Sequence, residues 1–237
     1  MKTGIFLSYK GLGSNLLHLS YCHEIAKKFG PVSLITLNSK LNEVLSDDPN
    51  FKEVICLEEF HKKLKDIFKL SKFLKTLDLK NLFIFYPSLR YLLSGKIAGI
   101  ENIYHYPLFK KKNLHLVKTA KIFTEKCLNI KECPTEAKIF VDSKKIKKSE
   151  KNNFKKIILG IGSSGPTTKW GYRNYISLIK KLNEYNKFFF YLLCGPDEDE
   201  DAQKIIKEIG KENCESLGNK SIYEVKNYIS ISKIYIG

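Results

Sequence analysis

The sequence predicts an α/β protein built on parallel sheets, and three observations carry that expectation. Short apolar runs alternate with segments of helical periodicity along nearly the whole chain. No hairpin signal such as Asn-Gly joins two adjacent apolar runs, so successive strands must be connected by crossover helices. The rhythm is interrupted once, at the lysine-rich stretch Asp142–Lys156, and then restarts, which divides the chain into domains at 1–148 and 149–237.

The elements follow in order. Gly4–Ser8 is a short apolar run and reads as a buried strand. Lys10–Asn15 holds two glycines and two capping residues and reads as a tight turn into a helix, Leu16–Phe29, which Gly30-Pro31 ends. Val32–Leu37 is a second strand, Lys40–Leu45 a short helix, Asp47–Asn50 a turn and Glu53–Leu57 a third strand. Phe60–Leu77 is amphipathic with lysines on its outer face. Leu82–Tyr86 is a strand stopped by Pro87, and a helix through Leu92 and Leu93 runs to Gly99. Asn102–Tyr106 and His115–Leu128 complete the first half. Beyond the basic stretch come a strand Ile157–Gly162, a helix Tyr172–Asn186, a strand Phe188–Leu193 and a helix Ala202–Ile209. Cys214–Leu217, Ser221–Ser230 and Lys233–Gly237 add a strand, a helix and a last strand. That last strand has no following helix to cover it, so the second domain is expected to be cut short.

Composition excludes several classes. Of 237 residues, 43% are hydrophobic and 28% charged, which is globular rather than disordered. The net charge of +16 is spread along the chain. It sets solubility and non-specific attraction to phosphates rather than fold. The basic stretch lacks interleaved aromatics, so it reads as a solvated linker rather than a nucleic-acid arm. The six cysteines form no CxxC pair or zinc spacing and suit small buried hydrophobes in a reducing compartment, with no metal site. No run approaches a membrane span and the N-terminus is too short for a signal peptide, so a cytoplasmic location is expected, with at most peripheral attraction to anionic lipid.

Ligands of open parallel sheets bind beyond the carboxyl ends of the strands, so the loops there hold the candidates. Lys10–Asn15, with Gly13 at its centre, offers backbone N–H groups to an anion or is simply a tight turn. Gly162–Trp170 strings together small and hydroxylated residues, Ser163, Ser164, Thr167 and Thr168, followed by Lys169. Such a run cannot pack a core, but it can donate to phosphate oxygens while the lysine neutralises them. Trp170 either walls that pocket or staples the next helix. After the strand Phe188–Leu193, Gly195 and Glu198 either present a carboxylate to ribose hydroxyls or match charge at a helix N-terminus. The five histidines show no metal-binding pairing, and His18, beside the first glycine loop, is the one placed to take part in chemistry.

These residues resemble a family. Gly162-Ser163-Ser164, Lys169-Trp170, Tyr175–Leu178 and Cys194–Glu198 look like the second domain of family-nine glycosyltransferases, the lipopolysaccharide heptosyltransferases. Tyr235-Ile236-Gly237 looks like the approach to that family's Asn-Asp-Thr-Gly loop. Gly11–Leu17 sits where the family has its Gly-Ile-Gly-Asp loop. The resemblance implies the GT-B arrangement, two Rossmann-like domains facing a cleft, with no metal or other cofactor. The implied partners are a nucleotide-diphosphate sugar, ADP-linked and heptose-like, and a glycolipid or glycan acceptor of the lipopolysaccharide core at the inner membrane. No nucleic-acid partner is implied.

Carried over, Thr167, Thr168 and Lys169 contact the diphosphate with Gly13, Ser163, Ser164 and Gly195 around the donor, and Glu198 holds the ribose. The family's presumed base is the acid after the glycine loop, and this chain has Ser14 there. A serine needs a partner to act as a base near neutral pH, and His18 is the partner on offer. The alternative is a chain that keeps the nucleotide-sugar pocket without transferring.

Overall fold

The computed structural model describes residues 2–57, 66–108, 114–142, 154–162 and 168–237. Among these residues the chain forms two compact units, 1–140 and 141–237, each with its own parallel sheet.

The first unit orders its strands β3-β2-β1-β4-β5, where β1 is Thr3–Leu7, β2 Val32–Thr36, β3 Phe51–Cys56, β4 Asn81–Ile84 and β5 Asn102–His105. Every residue of β1, β2 and β4 is buried, because helices cover both faces, whereas the outer strands β3 and β5 are partly exposed. That explains why the inner strands read as unbroken apolar runs rather than alternating ones. The helices are α1 (Leu12–Leu16), α2 (Leu19–Phe29), α3 (Lys40–Leu45), α4 (Asp66–Thr76), α5 (Leu89–Ile97) and α6 (Leu116–Leu128). One face of the sheet packs Phe6, Ile35, Leu82 and Ile84 on Leu70 and Leu74 of α4 and Tyr91 of α5. The other carries an aromatic layer in which Phe85 meets Tyr106 and Phe123 edge-on, and Phe83 stacks on Tyr104 with centroids 4.5 Å apart. Fully burying a side chain such as Phe83 stabilises by roughly 1.5–3 kcal/mol.

Two expectations change here. The predicted turn Lys10–Asn15 and helix Leu16–Phe29 are instead a short helix and a longer one, parted at Leu17 and His18. Asn15 causes the early start: its amide donates to the carbonyls of Tyr9 (2.9 Å) and Gly11 (2.7 Å) and drags the loop into helical turn. Of the predicted helix Phe60–Leu77, residues 60–65 lie outside the described residues.

The second unit orders its strands β8-β7-β6-β9, with β6 at Lys155–Gly160, β7 at Phe188–Leu193, β8 at Cys214–Ser216 and β9 at Ile234–Ile236. Its helices are α7 (Tyr172–Tyr185), α8 (Asp199–Ile209, preceded by a 3-10 turn at Pro196–Glu198) and α9 (Ile222–Ile231). The core on one face joins Ile157, Leu159, Phe190 and Leu192 to Tyr175, Ile179 and Ile205; on the other, Ile158, Phe189 and Tyr191 meet Val225 and Tyr228. Lys155 and Lys156 belong to β6 and not to the expected linker, because their backbones pair in register with Phe188 and Phe189. The rest of that basic stretch, 143–153, lies outside the described residues. The helix expected at Ala202 begins at Asp199, where three acids occupy the first turn and complement the helix dipole.

Among the described residues, no helix is long and apolar enough to cross a membrane. All six cysteines are free. Burial raises the thiols of Cys133 and Cys214 to about 12, which keeps them protonated and inert.

Candidate functional site

In each sheet the chain order reverses beside the first strand of the unit: β1 lies between β2 and β4, and β6 between β7 and β9. These reversals are where loops diverge and leave a crevice at the carboxyl ends of the strands.

In the second unit a cavity of about 370 Å³ opens at that place. Gly160 at the end of β6, Gly162 beyond it, Cys194, Gly195, Asp197 and Glu198 after β7, and Tyr235 of β9 line it. The Tyr235 ring lies over Gly160, and a Cβ there would have to push it aside. A Cβ on Gly162 or on Gly195 would stand 3.2 Å from Oε2 of Glu198, so both loops close on that carboxylate.

Glu198 is the centre of the site. It is only 6% exposed, and a buried carboxylate requires partners. The backbone N–H of Gly195 donates to Oε2 at 3.1 Å, and Nζ of Lys169 reaches Oε1 at 2.9 Å. The Lys169 ammonium is held above its ordinary value by the hydrogen bond to Glu198, with Asp201 and Asp197 adding to it. The sequence left open whether Glu198 binds a ligand or serves a helix start. Its bond to Gly195 is the second role, and its place in the cavity wall leaves the first available.

Among the described residues, the charged ones that line the cavity are Asp197 and Glu198, both acidic. Asp197, Glu198, Asp199, Glu200 and Asp201 gather at the start of α8, which repels an anion and suits hydroxyl donors. Lys169, in the loop that follows β6, reaches the cavity only through its bond to Glu198. Thr168 is exposed beside it, while Ser163, Ser164 and Thr167 lie outside the described residues. Trp170 takes the stapling role: its ring stands edge-on to Tyr175 of α7 at 4.9 Å, and Tyr175 in turn donates to the Gly160 carbonyl at 2.8 Å.

In the first unit the loop after β1 is held from inside. Asn15 is fully buried, and besides its two carbonyl contacts it accepts from the Thr36 hydroxyl at 3.2 Å. Asn38 pins the loop from the far side by donating to the Lys10 carbonyl at 2.6 Å. Gly13 is exposed and Ser14 half-buried. No acidic residue occurs between Lys10 and Leu17.

His18 is placed differently from the expectation that it assists Ser14. It has no exposed surface; its Nδ1 lies 2.6 Å from the Ser14 carbonyl, and its ring stacks on Tyr9 with centroids 4.7 Å apart. Burial pulls it down to about 4, so it is neutral at pH 7, with Nδ1–H donating and Nε2 facing the Tyr106 hydroxyl at 3.4 Å. What the sequence did not reveal is the tyrosine cluster over this loop. Tyr9 donates to the Phe85 carbonyl at 2.9 Å, Ser8 donates to the Tyr91 hydroxyl at 2.9 Å, and Tyr86 stands edge-on to both Tyr9 and Tyr91. These residues come from the segments that follow β1 and β4 and from α5, and no local motif links them.

No protein-family model matches the sequence, and no curated protein matches it. Solved structures do share its fold. The ADP-heptose lipopolysaccharide heptosyltransferase II of E. coli superposes with a TM-score of 0.74 at 16% identity, covering 99% of this chain and 78% of that one. A family-nine glycosyltransferase from Veillonella parvula gives 0.72 at 13% identity over 99% and 74%. The E. coli heptosyltransferase WaaC with ADP gives 0.72 at 13% identity over 99% and 80%. The chain therefore has the two-sheet α/β architecture of the GT-B glycosyltransferases, as the family resemblance implied.

Proposed function

We propose that this protein acts in glycosyl transfer, holding a nucleotide-diphosphate sugar in the cavity between the β6 and β7 loops. The observation that carries the reading is the Lys169–Glu198 pair at the strand reversal, which sets a cation beside the hydrogen-bond acceptor that lines the crevice. A diphosphate would draw Lys169 away from Glu198 and leave the carboxylate to accept from the two ribose hydroxyls. Stabilising the charge that grows on a departing nucleoside diphosphate is how such a lysine accelerates transfer. The solved structures that share the fold include heptosyltransferases, one of them with ADP, which favours an ADP-linked heptose-like donor and a lipopolysaccharide-core or other glycan acceptor. Action at the cytoplasmic face of a membrane belongs to the same reading.

Titration calorimetry with ADP tests it. The chain should bind one ADP, and Lys169→Ala should weaken binding by about tenfold, the worth of one charge-assisted hydrogen bond. Glu198→Gln should weaken ADP but not inorganic pyrophosphate, which has no ribose. Absence of ADP binding, or equal loss of both ligands in Glu198→Gln, refutes the assignment of the two residues.

A second reading has its own observation. The β1 loop carries Ser14 and no acid, and His18 is buried and neutral. A chain that binds the donor without transferring fits those facts. ADP-heptose cleavage measured with and without an acceptor separates the two: release of ADP supports transfer, and binding without release supports the donor-holding protein.

A further inference from the structure

A second cavity, of about 570 Å³, lies in the first unit between β5 and α6. That size falls in the ordinary range for small-molecule sites. Its walls are mainly apolar: Tyr104, Tyr106 and Leu114, with Ile122 and Phe123 from the helix. Ile122 is 46% exposed, an aliphatic side chain that the fold itself leaves uncovered.

The polarity runs along the cavity. Tyr21 of α2 donates to the Val117 carbonyl and Lys28 to the Leu128 carbonyl, both at 2.8 Å, so α2 and α6 run in the same direction. Since α2 connects two parallel strands, it runs against the sheet, and α6 therefore does so too. Lys126 consequently stands toward the start of β5 near Ile103, while Pro107 and Leu114 line the other end. Lys126 is exposed and makes no ion pair among the described residues, and none of the described residues lining the cavity is acidic. β5 is the edge strand. Asn102 and Tyr106 direct their N–H groups at β4, so by alternation those of Ile103 and His105 point to the open edge. One end of an apolar slot thus offers an ammonium and an edge N–H as donors.

We propose that this cavity binds a single-chain anionic amphiphile, its head group beside Lys126 and its alkyl chain along Tyr104, Ile122 and Phe123. The charge of the site selects an anion over a cation, and the apolar wall selects an alkyl chain over a free anion. With only four residues, β5 is a short edge for pairing with an added peptide strand. The site lies along the side of the sheet, reaches the residues that follow β1 and β4 through Tyr106, and stands independently of the proposed donor cavity.

Titration of the full chain with monomeric dodecyl phosphate, at about 0.15 M salt to screen the diffuse lysine charge, tests the proposal. One equivalent should bind. Dodecyltrimethylammonium, with the same chain and opposite charge, should bind about tenfold more weakly or less, and so should inorganic phosphate. Lys126→Gln should weaken dodecyl phosphate by about tenfold, and Ile122→Asp should abolish its binding. Both positions are exposed, so circular dichroism should show an unchanged fold, and the remote Lys207→Gln should bind like the native chain. Lack of binding, equal affinity for the cationic amphiphile, uptake of many equivalents without saturation, or indifference to either substitution overturns the proposal.

Discussion

Two buried polar side chains fix the β1 loop, and each has a measurable signature. Asn15 satisfies two carbonyls and a hydroxyl from inside the unit. Asn15→Ala removes all three bonds and leaves the Tyr9 carbonyl and the Thr36 hydroxyl proton without these partners, and urea unfolding should show a loss on the order of 2 kcal/mol. A loss below about 0.5 kcal/mol, the scale of a surface change, would mean that the loop does not depend on Asn15. His18 has a folded value of about 4, below the 6.5 of a free imidazole. The unfolded chain therefore binds more protons between those values, and stability is fully present above pH 6.5 and falls as pH drops toward 4. The amount lost is on the order of a few kcal/mol. His18→Phe should flatten unfolding free energy over that window, and a slope that persists there would mean that another group titrates.

At the scale of elements, the turn that leads into β3 is tied to α2 by a buried pair. Asp48 accepts from His23 Nε2 at 2.7 Å, from the Asn50 backbone at 3.0 Å and from the Asn50 amide at 2.8 Å. Burial alone would raise its carboxyl, but the bonds from His23 and Asn50 outweigh it and hold the group below its usual value. Its contribution is present above the unfolded carboxyl value, about 3.9, and is lost as pH falls through the lower folded value, a separate window from that of His18. Asp48→Ala should cost on the order of 3 kcal/mol at pH 7 by denaturant titration, since it leaves His23 facing a void. An unchanged midpoint would show that the turn holds without it. Elsewhere the elements follow from local signals: Ser221 and Glu224 form a reciprocal cap at the start of α9, and Gly30 ends α2 at φ 83°.

On the scale of the whole molecule, the two units carry separate cores and separate strand reversals, so ligand binding should be felt unevenly. ADP at a hundredfold its dissociation constant stabilises the unit that binds it by about 2.7 kcal/mol. Hydrogen exchange should therefore slow in β6, β7 and the start of α8 and stay unchanged in β1 and β4. Protection confined to the first unit would place the nucleotide on the other sheet and remove Lys169 and Glu198 from the proposal.

Apolar runs without hairpin signals determined the parallel α/β class from sequence alone, because a strand buried on both faces must be apolar throughout and its neighbour must be reached by a helix. The same reasoning located Gly162, Lys169, Gly195 and Glu198 as loop residues at strand ends. It could not show that Lys169 and Glu198 meet, because they are joined only by the pairing of β6 with β7. Nor could it separate a reactive His18 from a buried one: five residues of glycine loop look the same whether Asn15 turns inward or outward. Exposure and pairing are properties of the packed sheet, set by which distant side chains close over a position, and those contacts exist only once the chain has folded.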